Sequence, residues 1–390
     1  MAHKKYNTVR REIRAQDVHR LTQEALQAHW HLDMEKRLYT AEDIWDVLVA
    51  AAVESITIEM ACALLEEAPS PNTVRNALHT LLGDEAAMAT VQNTANEMLV
   101  KRLPRQLLKG KLTVAIDITE IAYHGQHNED DEWIRRSKAK QGTSHFHMYA
   151  TLYVVKRHKR YTLALMLVKR TDKMVDVVKQ LLVRGQALGL RLKRLYLDRG
   201  FDNNGVIDYL RQQSFPTILP LVHRGSSGGS RRLLNGRKSY ATTYTRTSRL
   251  YGEQTFPVLV VCKYTKGRYH RQGLVHFAYV VIGKLDLPPH QVFEEYRRRF
   301  AIEASYRLMN TVRARTTSTS VPLRLLLVAV AFLLLNLWSY VKWTHLFVPK
   351  RGPRQVLHHL LSLARWRLWL WEMVKLRFGF SLSITIPLTT

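Results

Sequence analysis

Cysteine is almost absent: Cys62 and Cys262 are the two in a chain of 390 residues, and they lie far apart. That excludes a disulfide framework and a cysteine-based zinc site, and it fits a reducing cytosol. Acidic residues are scarce as well, with 32 Asp+Glu against 59 Lys+Arg and a formal net charge of +27. A soluble chain this basic meets a polyanion, with nucleic acid as the default partner. The bland alternative is a basic surface with no partner. Adhesion to a membrane surface is disfavoured because the charge is spread along the whole chain. The opening residues, Met-Ala-His-Lys-Lys-Tyr, lack the apolar core of a signal peptide. Long apolar runs are rare too. Residues 325–341 form one, near the lower limit of about 17 residues for a spanning helix. It follows Arg324 and contains Asn336 and Ser339, and no second candidate exists. The expectation is a buried core helix, no stable membrane association, and a cytoplasmic, nucleoid-associated protein.

What is present falls into segments of different pattern. Residues 1–110 read as a helical N-terminal DNA-binding domain. Residues 42–67 carry good helix formers and an apolar stripe through Ile44, Val47, Leu48 and Ala51. Ser70 reads as an N-cap with Pro71 at the first helical position, opening a helix over 71–82 that exposes Asn72, Thr73, Arg75, Asn76 and His79. Two helices joined by a short turn suit a helix-turn-helix, with Arg75 and Asn76 as DNA-reading candidates. A linker-like helix follows and ends at Gly110. The period then changes to two: Leu112, Val114, Ile116 and Ile118 alternate with Thr113, Ala115, Asp117 and Thr119. Residues 120–142 read as polar and irregular, with an acidic run over 129–132.

Strands are expected near 145–155 and 161–169, joined by the basic turn 157–160 as a hairpin. Thr171 and Asp172 offer caps for an amphipathic helix that Gly189 stops. A short strand at 195–198, a helix at 202–213 and a strand at 217–222 complete residues 111–222. The order β-β-β-α-β-α-β, with one acid on the first strand and another ending the fourth, is that of an RNase-H-like core: α/β, a mixed sheet flanked by helices. Residues 223–287 interrupt it with a β-rich basic insertion, with strands expected near 241–247, 257–264 and 275–282. Its arginines and lysines would take phosphates, and Tyr240, Tyr244, Tyr251, Tyr264 and Tyr269 would stack on bases. Residues 288–345 read as the remainder of the core, and 346–390 as a basic aromatic C-terminal segment.

Three carboxylates stand out by their settings: Asp117 in Leu-Thr-Val-Ala-Ile-Asp, Asp198 in Leu-Asp-Arg-Gly-Phe, and Glu303 on an expected helix over 296–310. On that helix Tyr296, Arg299, Glu303, Arg307 and Asn310 recur every three or four positions and share a face. Phe293, Phe300, Ile302 and Met309 make the opposite, apolar side. Phosphodiester cleavage needs a nucleophilic oxygen and a stabilised leaving oxygen. Two Mg²⁺ ions roughly 3.5–4 Å apart supply both, and carboxylates on separate elements of a rigid core suit Mg²⁺. Taken singly, each acid is more often a surface residue than a ligand. Asp202, Asp172 and Asp176 are rivals. His124, His127, His145 and His147 read as strand histidines near DNA in preference to a metal cluster.

On these residues the sequence resembles the DDE transposases of prokaryotic insertion sequences, over residues 112–340. The matching subgroup carries a strand-rich insertion between the second Asp and the Glu, and the signature Tyr-x2-Arg-x3-Glu-x6-Lys. Tyr296, Arg299 and Glu303 match, whereas Asn310 stands at the Lys position. The resemblance implies that Asp117, Asp198 and Glu303 bind Mg²⁺ or Mn²⁺ and are catalytic. Tyr296 and Arg299 would contact the terminal phosphates of the transposon end, with Arg307 or Arg313 replacing the missing lysine beside Asn310. It implies a transposase that binds terminal repeats in double-stranded DNA, cuts there, and joins the freed 3′-hydroxyl to target DNA. It also implies a homodimer in the synaptic complex. The competing expectations are a catalytically inactive DNA-binding protein of transposase origin and, less well supported, a membrane-anchored protein.

Overall fold

The computed structural model describes residues 12–104, 106–126, 131–156, 160–226, 228–266, 272–285, 287–348 and 354–382. The opening peptide, His127, Glu129 and Asp130, the basic turn at 157–159, and Tyr269 with its neighbouring arginines lie outside the described residues. In chain order the elements are α1 (Ala15–Gln27), α2 (Ala41–Glu54), α3 (Ile58–Leu64), α4 (Pro71–Leu82), α5 (Met88–Val100), β1 (Lys111–Ala122), β2 (Arg135–Lys140), β3 (Thr143–Val154), β4 (Thr162–Val168), α6 (Met174–Ala187), β5 (Arg191–Leu197), α7 (Asn204–Gln212), β6 (Thr217–Pro220), β7 (Tyr240–Ser248), β8 (Gly252–Lys266), β9 (Gln272–Ile282), α8 (Pro289–Arg297), α9 (Phe300–Asn310), α10 (Val321–His345) and α11 (Leu363–Phe378). The chain packs as two compact units, Met1–Pro104 with Leu308–Thr390, and Arg105–Arg307.

The first unit is helical. α4 begins where its cap residues place it: the Ser70 hydroxyl accepts from the Thr73 N–H at 3.2 Å, with Pro71 in the first turn. The helix expected over 42–67 is broken. Ser55 adopts the left-handed conformation at φ 56°, and the Thr57 hydroxyl caps a new helix at Met60 N. Hydroxyl side chains that bond nearby backbone compete with helix continuation. α10 is the apolar segment, and 94% of its most apolar 18-residue window is buried within the protein. Its polar groups are satisfied there: Asn336 Nδ2 donates to Leu99 O at 3.0 Å and Arg324 Nε to Ser318 O at 2.7 Å. α11 buries Trp366, Leu370, Val374 and Phe378, one face at four-residue spacing.

The second unit is built on one sheet. β4, β3, β1, β5 and β6 form its centre. β1 runs antiparallel to β3 and parallel to β5, and β6 is parallel to β5. This is the mixed, RNase-H-like arrangement. The insertion does not stand apart. β9 pairs antiparallel with β6, β8 with β9 and β7 with β8, so the sheet simply continues. The described residues at 120–126 and 131–142 are less irregular than their polarity suggests. β1 extends to Ala122, and β2 pairs with the first residues of β3. α6 begins after Lys173, and the Asp172 carboxylate accepts from the Lys169 N–H instead of capping it. Gly189 ends that segment at φ +82°, as expected.

The largest departure is at residues 296–310. The single expected helix is two, α8 and α9, separated by a tight turn at Arg298 and Arg299. Two three-residue hydrogen bonds make that turn: Arg299 N to Tyr296 O at 2.9 Å and Ile302 N to Arg299 O at 2.8 Å. α8 is docked on β5 by Tyr196 OH and Arg194, which both reach Glu295, and by Tyr296 OH, which donates to Leu197 O at 2.9 Å. Tyr296 on α8 and Ile302 and Met309 on α9 are all buried. Phe300, expected on the apolar side, is 47% exposed.

Candidate active site

The two aspartates meet because β1 and β5 are parallel neighbours. Ile116 lies opposite Leu197, so Asp117 on β1 and Asp198, one residue past the end of β5, come next side by side. Strand alternation turns Asp117 away from Ile116. Glu303 arrives from the first turn of α9, where a helix N-terminus favours a carboxylate. One guanidinium joins all three. Arg299 Nη1 is 2.7 Å from Asp117 Oδ2, and Nη2 is 3.3 Å from Asp198 Oδ1 and 2.8 Å from Glu303 Oε1. Arg299 is buried, and so is Asp117, whereas Asp198 and Glu303 are open to solvent.

Charge follows burial. Desolvation pushes the Asp117 carboxyl up to about 6, opposed by Arg299 and reinforced by Asp198 and Glu303. Burial pulls Arg299 down, but Tyr296 and the three acids outweigh it and raise the guanidinium. Burial also raises the Tyr296 and Tyr306 phenols. The three oxygen donors suit a hard cation such as Mg²⁺ or Mn²⁺. In this structure Arg299 is the cation they hold. A cleft lined by Asp117, Thr119, Glu120, Lys140, Asp198 and Phe201 opens beside them.

Tyr306 is the site residue that sequence reading missed. Its hydroxyl donates to Asp117 O at 2.8 Å and lies 2.7 Å from Thr151 Oγ1, which fixes the β1 backbone at the acid. The available signal was its position three residues after Glu303, on the same helical face. Tyr296 does the equivalent for β5 at Leu197, next to Asp198. Tyr296 and Arg299, expected to face phosphates, therefore both point inward here. Arg307 is exposed. Asn310 Oδ1 accepts from Arg313 Nε at 3.4 Å. Arg313 is buried.

The rival acids have other work. Asp202 is buried, accepts from Val222 N at 2.7 Å and pairs with Arg246 at 2.9 Å. Arg246 is thereby withdrawn from the insertion's basic surface, and Tyr244 is buried too, so neither meets the expectation of a DNA contact. Tyr251 and Tyr264 remain exposed, as do Arg231, Arg232, Arg237 and Lys238. His147 is buried with its ring edge-on to Tyr123.

In the helical unit, Arg75 pairs with Glu59 at 2.7 Å and reaches Asn72 at 2.6 Å, beside the exposed Asn76. Among the described residues, the His/carboxylate set whose ligand atoms all lie within 4.8 Å of one another is His19, Glu42 and Asp46, also in this unit. Arg377 already pairs there, 2.9 Å from Glu42.

The sequence model of the "Transposase DDE domain" family matches residues 108–337. No curated protein sequence matches significantly. Among solved structures the chain is similar to the piggyBac transposase in its synaptic complex with hairpin DNA, seen by cryo-EM. The TM-score is 0.56 at 11% identity, over 92% of this chain and 80% of that one, a likeness of fold. The family has nuclease and strand-transfer chemistry and uses divalent metal ions. With its family's domain over more than half its length, this chain belongs to the DDE transposases.

Proposed function

We propose that this chain is the transposase of an insertion sequence, which binds the element's terminal repeats in double-stranded DNA and catalyses strand cleavage and strand transfer. The observation that carries the reading is the convergence of Asp117, Asp198 and Glu303 on one buried guanidinium. These three would hold Mg²⁺ or Mn²⁺. When bound, such ions polarise the scissile phosphate and lower the pKa of a bound water. The chain's own residues do the rest. Tyr306 and Tyr296 hold the strand ends that carry the aspartates. Arg307, exposed one turn beyond Glu303, takes a phosphate in place of the lysine replaced by Asn310. Arg75 and Asn76 on α4 contact the repeat, and the basic insertion follows the backbone.

In the reaction, water attacks a phosphorus at the transposon end. A P–O bond to that oxygen forms as the bond to the 3′ oxygen breaks, leaving a 3′-hydroxyl. That hydroxyl attacks a target phosphodiester, forms the new P–O bond and releases a target 3′-hydroxyl. The similar piggyBac structure is a synaptic complex with hairpin DNA, and a homodimer on paired ends is the assembly proposed for this chain. A cytoplasmic, nucleoid-associated location goes with this substrate. The inactive alternative required the acids to lie apart.

Purified protein with Mg²⁺ should cut its element's terminal repeats. Asp117→Asn, Asp198→Asn and Glu303→Gln should each lower cleavage by about 10³-fold or more while DNA binding by gel shift is kept. Undiminished cleavage in all three would refute the reading.

A further inference from the structure

We infer that Arg299 is an internal competitor of the metal ions: its guanidinium holds the three acids together in the metal-free protein and must leave them when divalent cations bind. The inference rests on the proposed metal role of Asp117, Asp198 and Glu303 and adds a conformational step to it.

Geometry is the first support. Both terminal nitrogens of Arg299 are spent on the acids, at 2.7, 2.8 and 3.3 Å. A guanidinium that forks across three carboxylates fills the space in which their oxygens would converge on an ion, and it spreads them to fit its own width. An ion with short oxygen distances needs them closer. Charge is the second support. Three carboxylates and one arginine leave a net charge of −2 when all are ionised. That is an incentive for a divalent cation, but one weakened by the positive charge already in place. Two cations sharing one set of anions, one of them buried, repel at close range.

The third support is that Arg299 is imperfectly held. Its Nε is buried and finds no hydrogen-bond partner, an uncommon cost for a group with this many donors. It sits in the turn between α8 and α9, where backbone angles can change without breaking either helix. The ring of Phe300, 47% exposed, lies 5.5 Å from its guanidinium carbon and marks an outward path along an aromatic face. Released that way, the guanidinium becomes available to a DNA phosphate. The same side chain thus closes the empty site and serves the loaded one.

Linkage makes this measurable without cleavage. If metal weakens Arg299's hold on the acids, Arg299 must weaken metal binding by the same factor. Mn²⁺ binding to the DNA-free full-length protein, followed at pH 8 by electron paramagnetic resonance of the free ion, is the readout. Arg299→Gln should bind Mn²⁺ about tenfold more tightly than wild type, within the usual range of such couplings, and Arg299→Lys should fall between them. Unchanged or weaker binding in Arg299→Gln would overturn the inference. Asp117→Asn and Glu303→Gln separate the two levels. Loss of Mn²⁺ binding in both supports the metal reading whatever Arg299 does. Binding as in wild type removes that reading, and the competition with it.

Because Arg299→Gln leaves three acids unneutralised and can fail to fold, a second measurement uses the wild-type chain. In ¹⁵N-detected arginine side-chain spectra, saturating Mg²⁺ should change the Arg299 guanidinium from restricted to fast rotation. A guanidinium that Mg²⁺ leaves unmoved would refute the competition.

Discussion

At the scale of single residues, Asp117 is the most constrained group in the site. Its folded-state value of about 6 lies above the ordinary 3.8, with burial as the main cause. The folded chain therefore keeps this proton to higher pH than the unfolded chain does. Between about pH 4 and 6 the native state binds more protons, so stability falls as pH rises through that window. Below it the contribution is fully present, and above it the contribution is lost. Urea unfolding without metal should thus show wild type losing stability relative to Asp117→Asn between pH 4 and 6. Parallel curves would contradict the assignment. Protons compete with a metal ion for this carboxylate, so cleavage at subsaturating Mg²⁺ should fall as pH drops through the same window. Asp117 pays for its placement in a buried strand with a carboxylate that is reluctant to ionise, and Arg299 offsets part of that.

At the scale of elements, the parallel pairing of β1 with β5 and the break between α8 and α9 make the site. Pairing sets two acids side by side, and the break lets Tyr296 and Arg299 turn inward while Glu303 opens a new helix. A second element contact ties the insertion down. Asp202 follows the second acid and Arg246 lies on β7, and both are buried as a pair whose Arg246 Nε also reaches Asn204 at 2.5 Å. Removing one member strands a charge. Asp202→Asn should cost about 3–5 kcal/mol of unfolding free energy. Asp202→Asn with Arg246→Met should recover much of that, as read by urea denaturation. A cost below about 1 kcal/mol would show that the pair is not what anchors β7.

At the scale of the molecule, the net charge of +27 governs how the chain meets DNA. Arg231, Arg232, Arg237 and Lys238 are exposed, as the proposed phosphate contacts require. Each phosphate neutralised releases counterions, so affinity for terminal-repeat DNA should fall about 10³-fold or more between 50 and 200 mM salt. Fluorescence anisotropy across that range checks it. A flat response would remove the basic insertion from the interface. The long apolar helix belongs to the same scale. α10 is apolar on all sides because it is enclosed, with Asn336 and Arg324 bonded to backbone oxygens.

Local chemistry was enough to determine much of this protein from its amino-acid order. The Ser70-Pro71 cap started α4 where expected, because a cap acts within one turn. Alternation over β1 turned Asp117 from its apolar neighbours, because a strand's period is two. The setting of Asp117 and Asp198 at the ends of apolar runs, with the Tyr296, Arg299 and Glu303 spacing, marked the family. What only the tertiary structure decided is non-local. The insertion joins the central sheet through β6, which depends on pairing partners far along the chain. The helix breaks at Arg298 because docking on β5 outweighs helical continuity. Arg299 turns into the acids because three converging carboxylates, one of them buried, attract the nearest cation, and helical spacing carries no record of that field.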